Sequence, residues 1–251
     1  MIKEGETVHL TDNKNSFFLK LKKGEIFGTH RGNISHDQIM EKDYGDYIET
    51  HKGHKFQILR PTLYDIIMFG IKRKTQIIYP KDSAYITLKL GLRSGMKVLE
   101  SGIGSAGLTI VMANALYPDG RIYAYEREES HIKVAKQNLE FAGFSEIVKI
   151  FHKDLSEVEE KDFDAAFIDV REPVEHLPKL KQVLKKGAPI GFLLPTVNQV
   201  IQLLEGLEKN DFIKIETMEI MLRKYKSVPD RFRPVDRMVA HTGYLIFAKN
   251  G

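Results

Sequence analysis

A glycine-rich segment with acidic residues on both sides is the part of the sequence best suited to bind a cofactor. Residues 102–107 read Gly-Ile-Gly-Ser-Ala-Gly, which fits G-x-G-x-x-G between a predicted strand and a predicted helix. Glycine lets the backbone turn sharply and lets a ligand approach the main chain. Glu126 ends the next predicted strand, where a carboxylate can accept hydrogen bonds from ribose hydroxyls. The combination predicts a nucleotide-like cofactor; the alternative is a tight turn that needs glycine for packing only.

Glu100, two residues before the first glycine, bears on which cofactor the turn would hold. A dinucleotide places its pyrophosphate at the helix N-terminus, and a carboxylate beside that turn would repel it. The same carboxylate suits the ammonium group of S-adenosylmethionine, which also carries a sulfonium. Asp154 ends the third strand of this region and could take an adenine amino group, or it could be a helix N-cap before Leu155.

Two further side chains could act on a substrate beside this cofactor. Asp169 ends the fourth strand, and open α/β sheets bind ligands at their strand ends. Its carboxylate could hold the amine next to a nucleophilic nitrogen and accept a proton, or it could only cap a loop. The ring of Tyr79 could stack on a base or wall the cofactor pocket, although a lone Tyr more often packs in a core.

A strongly basic segment lies between the last two predicted strands. Residues 223–237 hold six basic and two acidic side chains, and Tyr225 and Phe232 lie among them. Basic residues interspersed with aromatic ones suit an RNA backbone and unstacked bases. Smaller basic clusters occur at 20–23 and 72–74. The alternative for each cluster is a solvated face, but a long basic loop is the least easily explained in that way.

Composition limits the chemistry and the setting. The chain has 251 residues, a net charge of +4, 42% hydrophobic and 29% charged residues, and no cysteine. These values predict a folded globular protein without disulfides, zinc–thiolate sites or a cysteine nucleophile, and no metal site is expected. The N-terminus lacks the apolar core of a signal peptide, and no apolar run is long enough to span a membrane. We therefore expect a cytoplasmic enzyme or binding protein with no membrane partner.

The pattern of elements changes near residue 60. Residues 1–60 contain short β-rich segments and predict a small N-terminal β module, which ends where Arg60-Pro61 interrupts the chain. Residues 61–251 predict a second domain in which strands and helices alternate, which implies a parallel sheet with helices on both faces. Strands are predicted at 97–100, 121–125, 146–151, 164–168, 190–194, 213–222 and 243–248, and helices at 108–116, 131–142, 176–184 and 197–207. Ser130 is the expected N-cap of the second helix. The last two strands, which lack a helix between them, should be antiparallel.

Together these motifs resemble one family, the homotetrameric tRNA (adenine-58-N1)-methyltransferases of bacteria and archaea. The resemblance covers nearly the whole chain. The matching segments are Thr29-His30-Arg31-Gly32-Asn33-Ile34-Ser35-His36-Asp37, Arg60-Pro61-Thr62-Leu63, Gln76-Ile77-Ile78-Tyr79-Pro80-Lys81-Asp82, Glu100-Ser101-Gly102-Ile103-Gly104-Ser105, Pro195-Thr196-Val197-Asn198-Gln199-Val200, Arg233-Pro234 and His241-Thr242-Gly243-Tyr244.

The resemblance implies a Rossmann-like, class I S-adenosylmethionine-dependent methyltransferase domain, with a seven-stranded sheet whose last strand is antiparallel, behind a small β domain. It implies tRNA and three further copies of the chain as partners, and Asp169 and Tyr79 as catalytic residues. The cofactor-binding residues would be Glu100, Gly102, Gly104, Ser105, Ala106, Gly107, Leu108, Glu126, Arg127, Asp154, Leu155 and Asp169. The RNA-binding residues would be His30, Arg31, Arg223, Lys224, Lys226, Arg231, Arg233, His241 and Thr242.

This sequence departs from the family pattern after the fourth strand. The family usually reads Asp-x-Pro-x-Pro-Trp, whereas here Arg171 replaces the first Pro and Val174 the Trp. Asp169 is retained, so the expected chemistry is retained as well. Three alternatives stay open: a methyltransferase for another RNA or for a small molecule, a non-catalytic tRNA-binding subunit, and modification of one adenosine or of two adjacent ones.

Overall fold

The computed structural model describes all residues, 1–251, and the chain divides into two compact units. One unit comprises Met1–Lys72 with Phe141–Gly143, and the other comprises Arg73–Glu140 with Phe144–Gly251. None of the helices combines the length and hydrophobicity that crossing a bilayer requires.

Short strands build the first unit, and most of their buried apolar side chains share one core. Strands β1 to β6 are Thr7–Thr11, Ser16–Lys20, Ile26–Thr29, Gly32–Ser35, Tyr47–Glu49 and Lys55–Leu59. They form an antiparallel sheet in the order β2-β1-β6-β5 and a separate β3–β4 hairpin. Val8, Leu10, Phe56 and Ile58 are fully buried in the core of this unit. The short helix α1, His36–Met40, follows the hairpin and is capped by the Ser35 side chain.

The first unit extends about a dozen residues beyond the predicted boundary at residue 60. After Pro61, a capping box between Thr62 and Asp65 starts helix α2, Leu63–Asp65, which continues as a wider helical turn over Ile66–Gly70. The ring of Phe69 lies parallel to that of Phe18 at 6.3 Å. A Cβ on Gly70 would approach the Phe141 ring to 2.9 Å. These contacts hold the turn against the sheet of the first unit.

A seven-stranded sheet forms the centre of the second unit, which confirms the predicted Rossmann-like α/β fold. Strands β7 to β13 are Lys97–Ser101, Arg121–Glu126, Val148–His152, Ala165–Ile168, Pro189–Leu194, Phe212–Met218 and Tyr244–Asn250. Their order is β12-β13-β11-β10-β7-β8-β9. The neighbours are parallel except β13, which is antiparallel to both β11 and β12. All four residues of β10 are buried, as expected for a central parallel strand.

Five longer helices accompany this sheet. Helices α3 to α7 are Pro80–Lys89, Gly107–Leu116, Glu129–Ala142, Leu177–Val183 and Val197–Lys209. Single helical turns of tighter pitch occur at Ser145–Ile147, Leu155–Glu157, Pro173–His176 and Pro229–Arg231.

Three details of the predicted elements were wrong. Helix α3 was not predicted. Ser130 does not precede α5 but lies inside it, because the Glu128 carbonyl already accepts the backbone N–H groups of His131 and Ile132. The strand predicted over 213–222 ends at Met218, after a register shift between Ile213 and Glu216.

Candidate cofactor and substrate site

The glycine-rich turn joins β7 to α4 and needs glycine for close approach of the backbone. Gly102 has φ +89°, and a Cβ there would overlap the main-chain oxygen of Asp169. Gly104 has φ +51°, and a Cβ there would lie 2.8 Å from Thr75 Oγ1. Ala106 also adopts the left-handed conformation, φ 62°, at the N-cap of α4. The turn, which we call the glycine cradle, is therefore tightly packed. Its main chain lies next to the carboxyl ends of the strands.

Glu126, at the end of β8, fastens this turn through both carboxylate oxygens. Gly104 N–H donates to its Oε2 at 3.2 Å, and Glu128 N–H donates to its Oε1 at 3.0 Å. His131 Nδ1 lies 3.6 Å from the same Oε2. The carboxylate keeps free lone pairs on the cavity side, where it could also accept hydroxyl hydrogen bonds.

Glu100 is the most unusual acidic group of the site. Its side chain lies in β7 and is 2% exposed. Thr109 Oγ1 donates to Oε1 at 2.9 Å, whereas Oε2 has no hydrogen-bond partner. Burial raises the pKa of Glu100 to about 8; the Thr109 hydrogen bond opposes the rise, and the charges of Asp169 and Glu126 add to it. A cationic ligand group beside Glu100 would satisfy Oε2 and favour the carboxylate form.

Asp169 follows β10 directly, and its N–H donates to the Ser101 carbonyl at 2.8 Å. Protein surrounds the carboxyl group on most sides, yet the residue is solvent-accessible through a cavity that opens over the strand ends. The loss of bulk water raises the pKa of Asp169 to about 7, and the negative charge of Glu126 raises it further. The group can therefore exchange a proton near neutral pH.

Asp154 performs the N-capping role that was the alternative to a ligand contact. Its Oδ1 accepts hydrogen bonds from the Ser156 backbone N–H at 2.9 Å and from Ser156 Oγ at 2.6 Å. Its Oδ2 lies 3.6 Å from Arg127 Nη1. These contacts leave Asp154 and Arg127 together on the cavity wall.

The cavity has a volume of about 1010 Å³, at the upper end of the range for small-molecule sites. It brings together most of the predicted cofactor-binding residues, namely Glu100, Gly102, Gly104, Ser105, Gly107, Leu108, Glu126, Arg127, Asp154, Leu155 and Asp169. Ala106 is fully buried beneath the turn. Tyr79 is not part of the lining, although Ile78 beside it is. The described chain has no group of three or more acidic or His residues able to hold a metal ion.

Sequence reasoning missed one wall of this cavity. Residues 75–78 line it, and Thr75 Oγ1 and Ser105 Oγ lie 3.0 Å apart. The backbone N–H groups of Lys74 and Thr75 also donate to Ser105 Oγ. The hydroxyl of Ser105 thus anchors the wall instead of remaining free for a ligand. His131 is a further lining residue without a motif that could have marked it, and Arg171, noted above only as a departure from the family pattern, lines the cavity as well.

S-adenosylmethionine fits the groups that the cavity offers. Glu100 suits an ammonium, because its buried Oε2 is an acceptor without a donor. Glu126 suits ribose hydroxyls. The glycine cradle leaves no room for side chains at Gly102 and Gly104, where the main chain of Asp169 and the side chain of Thr75 pack against it.

The basic segment forms a loop between β12 and β13 that folds back on itself. Backbone hydrogen bonds join Lys226 N–H to the Arg233 carbonyl and Val235 N–H to the Lys224 carbonyl. The rings of Tyr225 and Phe232 stack at 5.2 Å. We refer to residues 219–243 as the basic loop. It holds an exposed stacked aromatic pair among exposed cations.

The predicted RNA-binding residues differ in whether their charged groups already form ion pairs within the protein. Lys226 and Arg233 both pair with Asp236, whereas Arg223 and Arg231 are exposed and have no ion-pair partner. His30 and Arg31 lie in and beside the turn of the β3–β4 hairpin of the first unit. Lys224 is also exposed.

His241 and Thr242 are engaged within the protein. His241 Nδ1 lies 2.8 Å from Glu219 Oε2, and Nε2 lies 3.2 Å from the Pro195 carbonyl oxygen. The hydrogen bond with Glu219, and then that with Pro195, raises the pKa of His241. Thr242 Oγ1 contacts Lys81 and Asp82. Both side chains use their polar atoms to fasten the end of the basic loop.

Comparison with known proteins agrees with this geometry. The family described as "tRNA methyltransferase complex GCD14 subunit" matches residues 56–232, and a family described as "TrmI-like N-terminal" matches residues 1–48. The chain is 31% identical to the tRNA (adenine(58)-N(1))-methyltransferase TrmI of Thermus thermophilus over 94% of each chain.

Two solved structures are similar over almost the whole chain. The tRNA (m1A58) methyltransferase TrmI of Aquifex aeolicus superposes with a TM-score of 0.82 at 43% identity, covering 99% of this chain and 98% of that one. A protein of Thermotoga maritima described as a SAM-dependent O-methyltransferase superposes with a TM-score of 0.88 at 42% identity, covering 99% and 94%. The fold, the cofactor cradle and the full-length similarity lead to one conclusion: the chain belongs to the tRNA (adenine-58-N1)-methyltransferase family.

Proposed function

We propose that this chain transfers the methyl group of S-adenosylmethionine to N1 of adenosine 58 in tRNA. Family membership supports the reaction and its substrate class. The observation that carries the proposal is the position of Asp169, which lines the cavity beside the glycine cradle.

The cofactor, when bound, supplies an electrophilic methyl group on its sulfonium. Glu126 would accept hydrogen bonds from its ribose hydroxyls, and the cradle at Gly102 and Gly104 would let it approach the main chain. Glu100 would face the cationic end of the cofactor, because its Oε2 has no hydrogen-bond donor within the protein. Asp154 and Arg127 would border the adenine side of the cavity.

Asp169 would orient the target base. In folded tRNA the N1 edge of the adenine is not presented to a pocket, so the base must be extruded at a cost of a few kcal/mol. In its carboxylate form, Asp169 would accept a hydrogen bond from the exocyclic amine and so direct the N1 lone pair toward the methyl group. N1 carries no proton, so its attack leaves a cationic ring, which the carboxylate stabilises. No covalent enzyme intermediate is needed.

The basic loop supplies the contacts that a tRNA substrate needs and a small molecule does not. Arg223 and Arg231 are exposed and without ion pairs, so they can meet phosphates, and the exposed ring of Phe232 can meet an unstacked base. The similarity to the SAM-dependent O-methyltransferase of Thermotoga maritima makes an oxygen acceptor the second candidate.

We also propose a homotetramer. Apolar side chains of the basic loop are exposed in the single chain, at 60% for Met221, 50% for Leu222 and 62% for Val239. A cluster of this kind is typical of an interface. Light scattering should give a mass near four times that of the 28.8 kDa chain; a monomer at micromolar concentration would contradict the tetramer.

The test of the function uses unmodified tRNA transcripts and nucleoside mass spectrometry. We expect N1-methyladenosine to form in the wild-type transcript and to disappear when adenosine 58 is replaced by guanosine. A transcript with adenosine 57 replaced tests whether the adjacent position is modified as well. Methyl transfer that is unaffected by replacing both adenosines, or transfer to oxygen, would overturn the proposal.

A further inference from the structure

A buried ion pair at the start of α3 connects two parts of the second unit. Lys81 Nζ lies 2.9 Å from both carboxylate oxygens of Asp82, and the two side chains are 9% and 2% exposed. Lys81 Nζ also donates to the Ile220 carbonyl at 2.6 Å and to Thr242 Oγ1 at 2.7 Å. Thr242 Oγ1 in turn donates to Asp82 Oδ2 at 2.9 Å. We call Lys81, Asp82, Thr242 and the Ile220 carbonyl the loop clasp.

The loop clasp holds both ends of the basic loop at one point. Ile220 comes two residues after β12 ends, and Thr242 comes two residues before β13 begins. The pairing of β12 with β13 ends at Met218 and Leu245, and Lys81 extends the closure beyond that pair because it contacts both Ile220 and Thr242. The paired segment with Tyr225 and Phe232 projects from this closed base.

Besides the ends of the basic loop, the loop clasp is attached to the cavity wall. The Tyr79 carbonyl accepts the backbone N–H groups of Asp82 and Ser83, each at 2.9 Å. Ser83 Oγ lies 3.1 Å from the Ile78 carbonyl oxygen, and Ile78 lines the cavity. Asp82 therefore belongs to the first helical turn that anchors this wall. If the base of the basic loop moved, the cavity wall would therefore move with it.

Stability alone does not account for a pair buried in this way. Burying two charges carries a large desolvation cost, and an apolar pair of similar size is often as stable. The same helix carries a more accessible pair, Lys89 Nζ to Glu216 Oε1 at 2.9 Å, which also joins α3 to β12 without touching the loop ends. The buried pair differs in its directional bonds to those ends.

We propose that Lys81, Asp82 and Thr242 are positioning residues for tRNA. They hold the basic loop in a set position relative to the cavity wall, so that a tRNA bound by the loop presents its adenosine to Asp169. The inference rests on the proposed function, and it assigns Thr242 an internal role in place of direct RNA contact.

The test separates positioning from folding by using the gentlest changes. Thr242→Val removes the hydroxyl and keeps the shape, while Thr242→Ser keeps the hydroxyl. The double variant Lys81→Met/Asp82→Asn removes both charges together and so leaves no uncompensated buried ion. Lys89→Met is the matched control on the same helix. Each is assayed for tRNA KM, kcat, S-adenosylmethionine Kd and thermal midpoint.

We expect Thr242→Val and the double variant to raise the tRNA KM by about tenfold or more, because a misplacement of about 1 Å can cost about a hundredfold. The Kd for S-adenosylmethionine should change less than about twofold. Thr242→Ser and Lys89→Met should resemble wild type. The salt dependence of the tRNA KM should become shallower, since loop contacts with phosphates are lost.

Several outcomes would overturn the inference. One is a normal tRNA KM in the folded clasp variants, with only the thermal midpoint lowered. Another is additivity: if Thr242→Val weakens tRNA binding further in the double-variant background, Thr242 contacts tRNA independently of the clasp. If the wild-type chain does not methylate tRNA, the proposed function itself fails. If the wild type is active and the clasp variants have the same tRNA KM as wild type, only the positioning role fails.

Discussion

At the residue scale, three carboxyl groups share one cavity at the ends of neighbouring strands. Glu100, Glu126 and Asp169 lie on β7, on β8 and just after β10. Burial of Glu100 and desolvation of Asp169 by the cavity walls, followed by repulsion between the carboxylates, raise the pKa of both groups. A protonated carboxyl can still accept a hydrogen bond from adenine, but only the carboxylate form supplies the negative charge that stabilises the cationic ring. The pKa of Asp169 therefore sets the fraction of the enzyme that is in the reactive carboxylate form.

The first prediction concerns the pH dependence of methyl transfer. The raised pKa keeps Asp169 neutral at low pH, and its carboxylate form grows as pH rises through about 7. Single-turnover rates at saturating tRNA and cofactor should therefore rise between pH 6 and 8. The bound cofactor, being cationic, would shift the inflection downward. A rate that falls over this range would contradict the role of Asp169.

The second prediction concerns stability and Glu100. Its pKa is about 8 in the folded protein and about 4.3 in an unfolded chain, so between these values the folded state binds more protons. Stability from this group is thus present below the unfolded pKa and is lost as pH rises toward 8. The thermal midpoint of the ligand-free protein should fall less steeply from pH 5.5 to 8 in Glu100→Gln than in wild type. If the thermal midpoints of Glu100→Gln and wild type fell equally steeply with pH, the raised pKa of Glu100 would be refuted.

The third prediction concerns Arg171, where the family pattern has Pro. Among the Lys and Arg residues that line the cavity, Arg127 pairs with Asp154 and Lys153 with Glu159, while Arg171 has no ion pair. We expect Arg171→Ala to raise the tRNA KM and to reduce its salt slope by about one, as for a phosphate contact. Lys153→Ala is the control with a paired cation. An unchanged salt slope in Arg171→Ala would exclude a phosphate contact.

Residue positions in the cavity were predictable where a motif and a strand end coincide. Gly102, Glu126 and Asp169 could be placed because parallel strands bring their carboxyl ends to one edge. The engagement of Thr242 by Lys81 could not, because the two are 161 positions apart and neither belongs to a periodic pattern. The free guanidinium of Arg171 likewise depends on which acids lie nearby in space.

At the element scale, the basic loop is the part of the second unit that departs from regular structure. It carries six basic residues within 223–237, and the Tyr225–Phe232 stack gives it an internal support. Two of its cations neutralise Asp236, so its attraction for phosphates rests mainly on the others.

The fourth prediction tests this loop as an electrostatic element. Arg223→Gln combined with Arg231→Gln should weaken tRNA binding and reduce the salt slope by about two. The control, Lys133→Gln with Lys136→Gln, makes the same charge change at exposed positions of α5. If both pairs have equal effects, the contribution is the net charge of the protein and not the loop.

Helix α3 shows why one element escaped prediction. Its sequence, Pro-Lys-Asp-Ser-Ala-Tyr-Ile-Thr-Leu-Lys, buries Asp82 and Ser83 and exposes Leu88. Apolar periodicity is the main signal of a helix, and here polar residues occupy the buried face because they bind the loop and the wall. Pro80 at the first helical turn was the available signal.

At the scale of the whole molecule, the α/β class, the antiparallel β13 and the separate β module followed from patterning along the chain. The division between the two units was less predictable. Arg60-Pro61 breaks the backbone pattern, but Phe69 and Gly70 make their contacts with Phe18 and Phe141 of the first unit. Such contacts through space decide where a unit ends, and local sequence carries no mark of them.

The net charge of +4 also takes its meaning from its distribution. The excess within 223–237 equals that of the entire chain, so the remaining residues are balanced. Absence of cysteine agrees with direct transfer to a ring nitrogen, which needs no covalent nucleophile. Both features connect composition to the proposed reaction.

The most direct test of the account measures Asp169→Ala in two assays, methyl transfer to adenosine 58 of a tRNA transcript and binding of S-adenosylmethionine. We predict that single-turnover transfer falls at least about a hundredfold, because the group that orients and stabilises the reacting base is lost. Cofactor affinity should stay within about threefold of wild type, since the cradle and Glu126 remain. Near-normal transfer by this variant would contradict the central role of Asp169.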